Sequence, residues 1–217
     1  MTTAVIGLGN IGSPLAEELV AGGESVVLAT REFSKAVVLA DRLGKLARAA
    51  TVEGAISDAD GVIFAVTFDL FQKMVVQYSD LLHGKTVIDP SNPVALRDGQ
   101  LVRLLPEGKS AGSVIAGLIP PDARFVKAFG TLSAESLAKE SHRQTDRAVL
   151  YYATDDASSG EVVERLIRAA GFIPVKVGGL DACLRIEVGG ELHQFGGLQG
   201  NVPNEAITRT ALKAGEK

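Results

Sequence analysis

Six residues, Gly7-Leu8-Gly9-Asn10-Ile11-Gly12, stand between two stretches of different hydrophobic periodicity. The apolar run Ala4 to Leu8 has the length and composition of a strand buried on both faces. Beyond the glycines, Ile11, Leu15, Leu19 and Val20 recur at helical spacing, and Pro14 falls in the first turn, where its missing N–H costs nothing. Gly22-Gly23 ends that helix, and Ser25 to Ala29 reads as the next strand. The glycines therefore sit in the turn of a βαβ unit. In that context each has its own reason: Gly7 permits the tight turn, Gly9 lets backbone approach a pyrophosphate, and Gly12 lets the helix pack closely. The helix N-terminus faces the anion with unpaired N–H groups and a positive dipole end, and Asn10 and Ile11 add backbone donors. Outside such a unit the same glycines would be only a structural turn.

The residues after the second strand select the nucleotide. A carboxylate about 20 residues past the glycines would take a ribose 2′-hydroxyl, whereas an arginine suits a 2′-phosphate. Here Thr30 offers a hydroxyl, Arg31 a charged fork and Lys35 a point charge one turn on, which points to NADP(H). Glu32 opposes a phosphate if it faces inward, and a solvated face made of Arg31 and Lys35 is the alternative.

Further along, Ser34 is placed to cap a helix with Ala36, Leu39, Ala40 and Leu43 on one face. Gly61 to Val66 predicts a strand, Leu70 to Tyr78 a helix, and Lys85 to Asp89 a strand running into Asp89-Pro90-Ser91-Asn92-Pro93. Strands follow at Arg124 to Ala128, Ala148 to Thr154 and Phe172 to Val177. A helix between the last two carries Val163, Leu166, Ile167 and Ala170 on one face, with Ser158 and Glu161 as its expected capping box. Alternation of this kind predicts a Rossmann-type, doubly wound α/β fold with a mainly parallel sheet. Residues 1–178 form the nucleotide-binding domain on this reading, and 179–217 a C-terminal appendage. That appendage is expected to hold one helix over 181–195 and a glycine-rich tail that is a loop, an arm or frayed.

Composition narrows the function classes. The 217 residues carry Lys+Arg 22 against Asp+Glu 26, a net charge of -4 without a basic run, so counterion release has little to work with and no nucleic-acid partner is expected. No apolar run reaches the roughly 18 residues a membrane span needs. The single Cys183 builds neither a disulfide framework nor a thiolate metal site, which fits a reducing, cytoplasmic compartment and no metal. Of the three histidines, His83 and His142 read as solvent-facing, and His193 as either a proton donor near the acceptor or a satisfied structural group.

Taken together and in order, GLGNIG, Thr30-Arg31 with Lys35, Asp89 to Pro93, Val126-Lys127-Ala128-Phe129 with Thr131, and Ala170 to Val175 resemble a known family. It is the NADPH-dependent coenzyme F420 reductase family of small oxidoreductases, and the chain is also similar to the oxidoreductase domain of six-transmembrane ferric reductases. The resemblance runs from residue 4 to about 193. It implies hydride transfer between NADPH and a small-molecule redox acceptor, a deazaflavin or a flavin. Flavin, ferric or imine reduction and a non-catalytic NADP-sensing module are the alternatives. On this resemblance Ala65, Val66 and Thr67 flank the cofactor's ribose and nicotinamide, Asn92 and Pro93 border the nicotinamide, and Phe129, Gly130 and Thr131 border the acceptor, with His193 nearby. For the Asn92 segment a strand-ending turn is the plain alternative. Gly130 departs from the pattern, since deazaflavin reductases commonly carry a histidine there and the ferric-reductase domains an asparagine; either an acceptor contact is lost or altered, or the glycine makes room for a bulkier ring. Because the two cofactor rings carry the chemistry, no catalytic acid is named. With little second domain to close over the nicotinamide, a homodimer is expected.

Overall fold

In a computed structural model, residues 1–98 and 100–214 are described. The chain order is β1 (Thr3–Ile6), α1 (Gly12–Ala21), β2 (Val26–Ala29), α2 (Phe33–Leu43), β3 (Ala47–Ala49), α3 (Val52–Asp58), β4 (Gly61–Phe64), α4 (Phe68–Gln77) and β5 (Thr86–Asp89). An antiparallel hairpin follows, β6 (Val94–Arg97) and β7 (Gln100–Arg103), and then α5 (Ala111–Ala116), β8 (Arg124–Ala128), α6 (Ala134–Lys139) and β9 (Val149–Ala153). The remaining elements are α7 (Ala157–Ala169), β10 (Ile173–Gly178), α8 (Cys183–Ile186) and α9 (Glu205–Ala214). Eight strands form one sheet in the order β10-β9-β8-β5-β4-β1-β2-β3. All pairings are parallel except β8 with β9, so the last two strands run against the other six.

The strands are short and apolar because both sheet faces are covered. Ala4, Ile6, Val62, Phe64 and Val87 belong to one core cluster with Phe71 and Val75 of α4, whereas Val5, Ile63 and Ile88 point the other way, toward Leu15 and Leu19 of α1. Alternation at a period of two thus feeds two cores from one sheet. The doubly wound expectation holds.

Four local expectations are corrected. Helix α2 begins at Phe33 with Glu32 at its N-cap position and no side-chain cap, so Ser34 lies inside it. Helix α7 is capped by Asp156, whose carboxylate accepts from Ser159 N at 2.7 Å; Ser158 sits in the first turn and donates to the same carboxylate. A carboxylate on the preceding loop reaches the free N–H groups from the cap position, which the Ser158–Glu161 pair does not occupy. The helix expected over 181–195 stops at Ile186. Glu187 is extended (ψ 162) and Gly189 takes φ +89, which a continuing helix does not allow. Finally, the tail from Gly196 to Ala214 is a loop followed by α9, not an arm or a frayed end, and residues 215–217 lie outside the described residues. Gly190, Gly196 and Gly197 pack backbone on backbone, Pro203 O accepts from Val149 N at 2.7 Å, and α9 places Thr208 Oγ1 2.9 Å from the Tyr151 hydroxyl.

Among the described residues no helix is long and apolar enough to cross a membrane.

Candidate active site

Strand order reverses between β1 and β4, and the crevice outside the carboxyl ends at such a point is where open α/β sheets take ligands. The loops after β1, β2, β4, β5 and β8 meet there around a cleft of about 640 Å³. Thr30, Arg31, Glu32 and Lys35 form one end, Gly7 to Ile11 the floor, Ala65 to Thr67 with Leu70 one side, and Pro90, Ser91, Asn92, Val94, Gly130 and Leu132 the far end.

The turn shows why three glycines stand where they do. Gly7 has φ +94, and a Cβ there would lie 2.5 Å from Ala65 O. At Gly12 a Cβ would meet Gly7 O at 1.8 Å, so the helix could not close onto the strand. Gly9 faces open space, with nothing within 4 Å of an added Cβ. No side chain caps α1 and no acidic residue occupies its first turn, which leaves a positive helix end beside that space. These residues fit a pyrophosphate, and the cationic corner fits the additional phosphate of NADP(H). In that corner Lys35 Nζ is 2.8 Å from Glu32 Oε2, and the hydrogen bond and charge of Lys35 hold the Glu32 carboxyl below its ordinary range.

At the far end the backbone is tied down by buried polar groups. Lys127 and Asp89 are 1% and 0% exposed, with Nζ 2.8 Å from Oδ2. Lys127 also donates to Ser91 O, and Asp89 Oδ1 accepts from Ser91 N at 2.7 Å. Glu187 Oε1 lies 3.8 Å from the same ammonium, and its two oxygens accept from Ala111 N and Gly112 N, both at 3.0 Å. Burial raises the Glu187 pKa, opposed by Lys127 and the two N–H donors. Each end of the Asn92 amide has a partner: Oδ1 accepts from Val188 N at 2.7 Å and Nδ2 donates one N–H to Gly130 O at 2.9 Å.

Of the residues singled out from the sequence, Gly7, Gly9, Asn10, Ile11, Thr30, Arg31, Lys35, Ala65, Val66, Thr67, Asn92 and Gly130 line the cleft together. Gly12 and Pro93 are not part of its lining. Phe129, Thr131 and His193 do not reach its wall. Phe129 takes φ +64, rare for a bulky residue, and its ring is wholly buried among Val126, Leu132 and other core side chains. Thr131 is 1% exposed. His193 is held by backbone on both sides: Nδ1 accepts from Phe195 N at 2.9 Å, so Nε2 carries the proton and donates to Gly130 O at 3.0 Å. Burial pushes its pKa down to about 4. The expectation that Gly130 makes room for an acceptor ring is also corrected. A Cβ there would lie 2.7 Å from Pro90 O, so the missing side chain makes room for that carbonyl.

His83 and His142 lie at the surface beside Asp122 and Glu18. Sequence reasoning missed the cleft residues Leu8, Leu70, Pro90, Ser91, Val94 and Leu132, and the group Asp89, Lys127 and Glu187. For Lys127 a signal existed. A lysine inside Phe125-Val126-Lys127-Ala128, a strand buried on both faces, requires a buried partner.

Fold and cleft define a Rossmann-type chain whose cleft fits NADP(H). Residues 2–93 match the model of the family described as NADP oxidoreductase, coenzyme F420-dependent. Over its length the chain belongs to the same family as the hypothetical protein SMa0349 of Sinorhizobium meliloti, with 30% identity over 94% of this chain and 96% of that one and a TM-score of 0.81. The fold is shared with a proposed F420-dependent NADP-reductase from Arthrobacter sp. FB24, at 19% identity, coverage of 83% and 86%, and a TM-score of 0.71. It is shared as well with an imine reductase from a Pseudomonas species, at 20% identity and a TM-score of 0.63, where the match covers 84% of this chain but 57% of that one. No curated protein matches the chain.

Proposed function

We propose that the protein passes a hydride between NADP(H) and a deazaflavin of the coenzyme F420 type. The observation that carries this reading is one continuous cleft, which runs from the cationic corner of Thr30, Arg31 and Lys35, past the open face of Gly9, to Pro90, Asn92 and Gly130. On this reading Arg31 and Lys35 take the 2′-phosphate, with Thr30 donating a hydroxyl. Gly9 and the uncapped end of α1 take the pyrophosphate. Ala65 to Thr67 flank the ribose, and the Asn92–Pro93 segment backs the nicotinamide. When bound, the nicotinamide supplies or receives the hydride.

The chain itself contributes orientation and exclusion of water, which is what ring-to-ring transfer requires of a protein. Leu8, Leu70, Val94 and Leu132 give the cleft apolar stretches, and the ties from Asn92 and His193 to Gly130 O hold the far wall in one shape. In this scheme His193 positions Gly130 and moves no proton.

One observation favours a second reading. At Gly130 the wall is backbone, without the histidine or asparagine of the families the sequence resembles, so the acceptor contact they share is missing. A flavin, a ferric complex or an imine is then the acceptor; a module that binds NADP without turnover is the remaining alternative.

Nicotinamide absorbance separates these outcomes when the protein and NADPH are mixed with deazaflavin, free flavin, ferric chelate or a cyclic imine in parallel. Steady oxidation with deazaflavin alone is expected. Oxidation only with another acceptor replaces the first reading by the second. Saturable binding with no oxidation under any acceptor leaves the sensing module.

A further inference from the structure

We propose that the hydroxyl of Ser91 hydrogen-bonds the carboxamide of the bound nicotinamide, an inference that rests on the cofactor placement above and adds a contact to it. Ser91 lies on the cleft wall just past the end of β5, on the nicotinamide side of the switch point, and is 6% exposed. Its Oγ is sealed from water and has no hydrogen-bond partner in the protein. A buried hydroxyl left in that state is costly, and turning about χ1 toward the cleft, where a ligand accepts or donates, relieves the cost.

At this end of the cleft the neighbouring backbone groups are already held. The backbone N–H of Ser91 is held by Asp89 Oδ1 at 2.7 Å, and its carbonyl by the Lys127 ammonium. With both sides pinned, only rotation about χ1 remains. Next along the wall, Pro90 has no N–H, both ends of the Asn92 amide are engaged, and Gly130 O accepts from both Asn92 and His193. A hydroxyl is at once donor and acceptor, and a primary carboxamide presents both complements. The buried Asp89–Lys127 pair acts through the loop: these are positioning residues that fix where the Ser91 side chain starts.

The test is calorimetric titration of the full chain and its Ser91→Ala variant with three ligands: NADP, a pyridine analogue of NADP lacking the carboxamide, and 2′,5′-ADP, which lacks the nicotinamide half. Loss of one hydrogen bond predicts that Ser91→Ala weakens NADP about fivefold. It leaves the pyridine analogue and 2′,5′-ADP within about twofold, the scatter left when no contact is lost. Unchanged NADP affinity in the variant overturns the proposal, and so does an equal loss for all three ligands, which would report a disturbed loop. An unaltered chain that binds neither NADP nor 2′,5′-ADP refutes the cofactor placement itself, a result distinct from either.

Discussion

Lys127 and Asp89 meet in the interior beneath the Pro90–Pro93 loop, ammonium to carboxylate at 2.8 Å, with 1% and 0% of their surfaces exposed. Truncating one partner of such a pair leaves an uncompensated buried charge, which costs about 3–5 kcal/mol. Lys127→Met is therefore expected to lose stability on that scale in urea denaturation. Lys127→Met with Glu187→Gln should recover part of it, because Glu187 Oε1 faces the same ammonium at 3.8 Å. A loss below about 1 kcal/mol for the single variant would show that the pair contributes little more than a surface one.

Gly9 and Gly12 of the turn predict opposite phenotypes. Gly9→Ala adds a methyl into open space, so the midpoint of thermal unfolding should hold while NADPH affinity falls at least tenfold, since the methyl stands where backbone must approach the pyrophosphate. Gly12→Ala forces a Cβ to 1.8 Å from Gly7 O, and overpacking of this kind costs about 1–3 kcal/mol or more. Equal effects of the two on stability would contradict the geometry of the turn.

Cofactor choice is tested at the cationic corner. Arg31→Ala should weaken NADPH by about tenfold or more through loss of a charge-assisted hydrogen bond, and NADH little. Glu32→Gln should strengthen NADPH binding, because Lys35 no longer has to leave the carboxylate 2.8 Å away to reach a phosphate. Fluorescence titration of each variant with both cofactors measures this; equal losses for NADPH and NADH in Arg31→Ala would remove Arg31 from the 2′-phosphate site.

His193 sets a pH dependence. Burial lowers its folded pKa to about 4 from an ordinary 6.5, so between those values the unfolded chain binds more protons than the folded one. Its contribution is complete above about pH 6.5 and is lost as pH falls toward 4, by on the order of 3 kcal/mol over the whole window. His193→Gln keeps a donor for Gly130 O and has no group titrating there, so its stability should fall less steeply across that interval. Parallel curves for the two proteins would assign the acid sensitivity to other residues.

Much of the architecture was readable along the chain because period-two and period-3.6 patterns are local. Ala4 to Leu8, the glycine turn and the Leu15–Leu19 face each declare themselves within a few residues, and Thr30-Arg31 follows at a distance set by one helix and one strand. The far end of the cleft was not readable in this way. Phe129 has the composition of a pocket residue, yet a φ of +64 turns it into the core. Gly130 was read as space for a ligand, and only the fold brings Pro90 O to where its Cβ would be. The glycines from residue 196 onward are equally compatible with a loop, an arm or a frayed tail, although backbone packing against backbone also calls for glycine.

The amino-acid sequence by itself determined the strand–turn–helix frame, the glycine turn and the cationic corner, since each is built from neighbours in the chain. Tertiary structure alone decided which residues face the cleft at its other end and which groups are already engaged. Asp89, Lys127 and Glu187, or Asn92, Gly130 and Val188, are separated by 38 to 98 positions, and no local pattern encodes a contact whose partners meet only when the sheet closes.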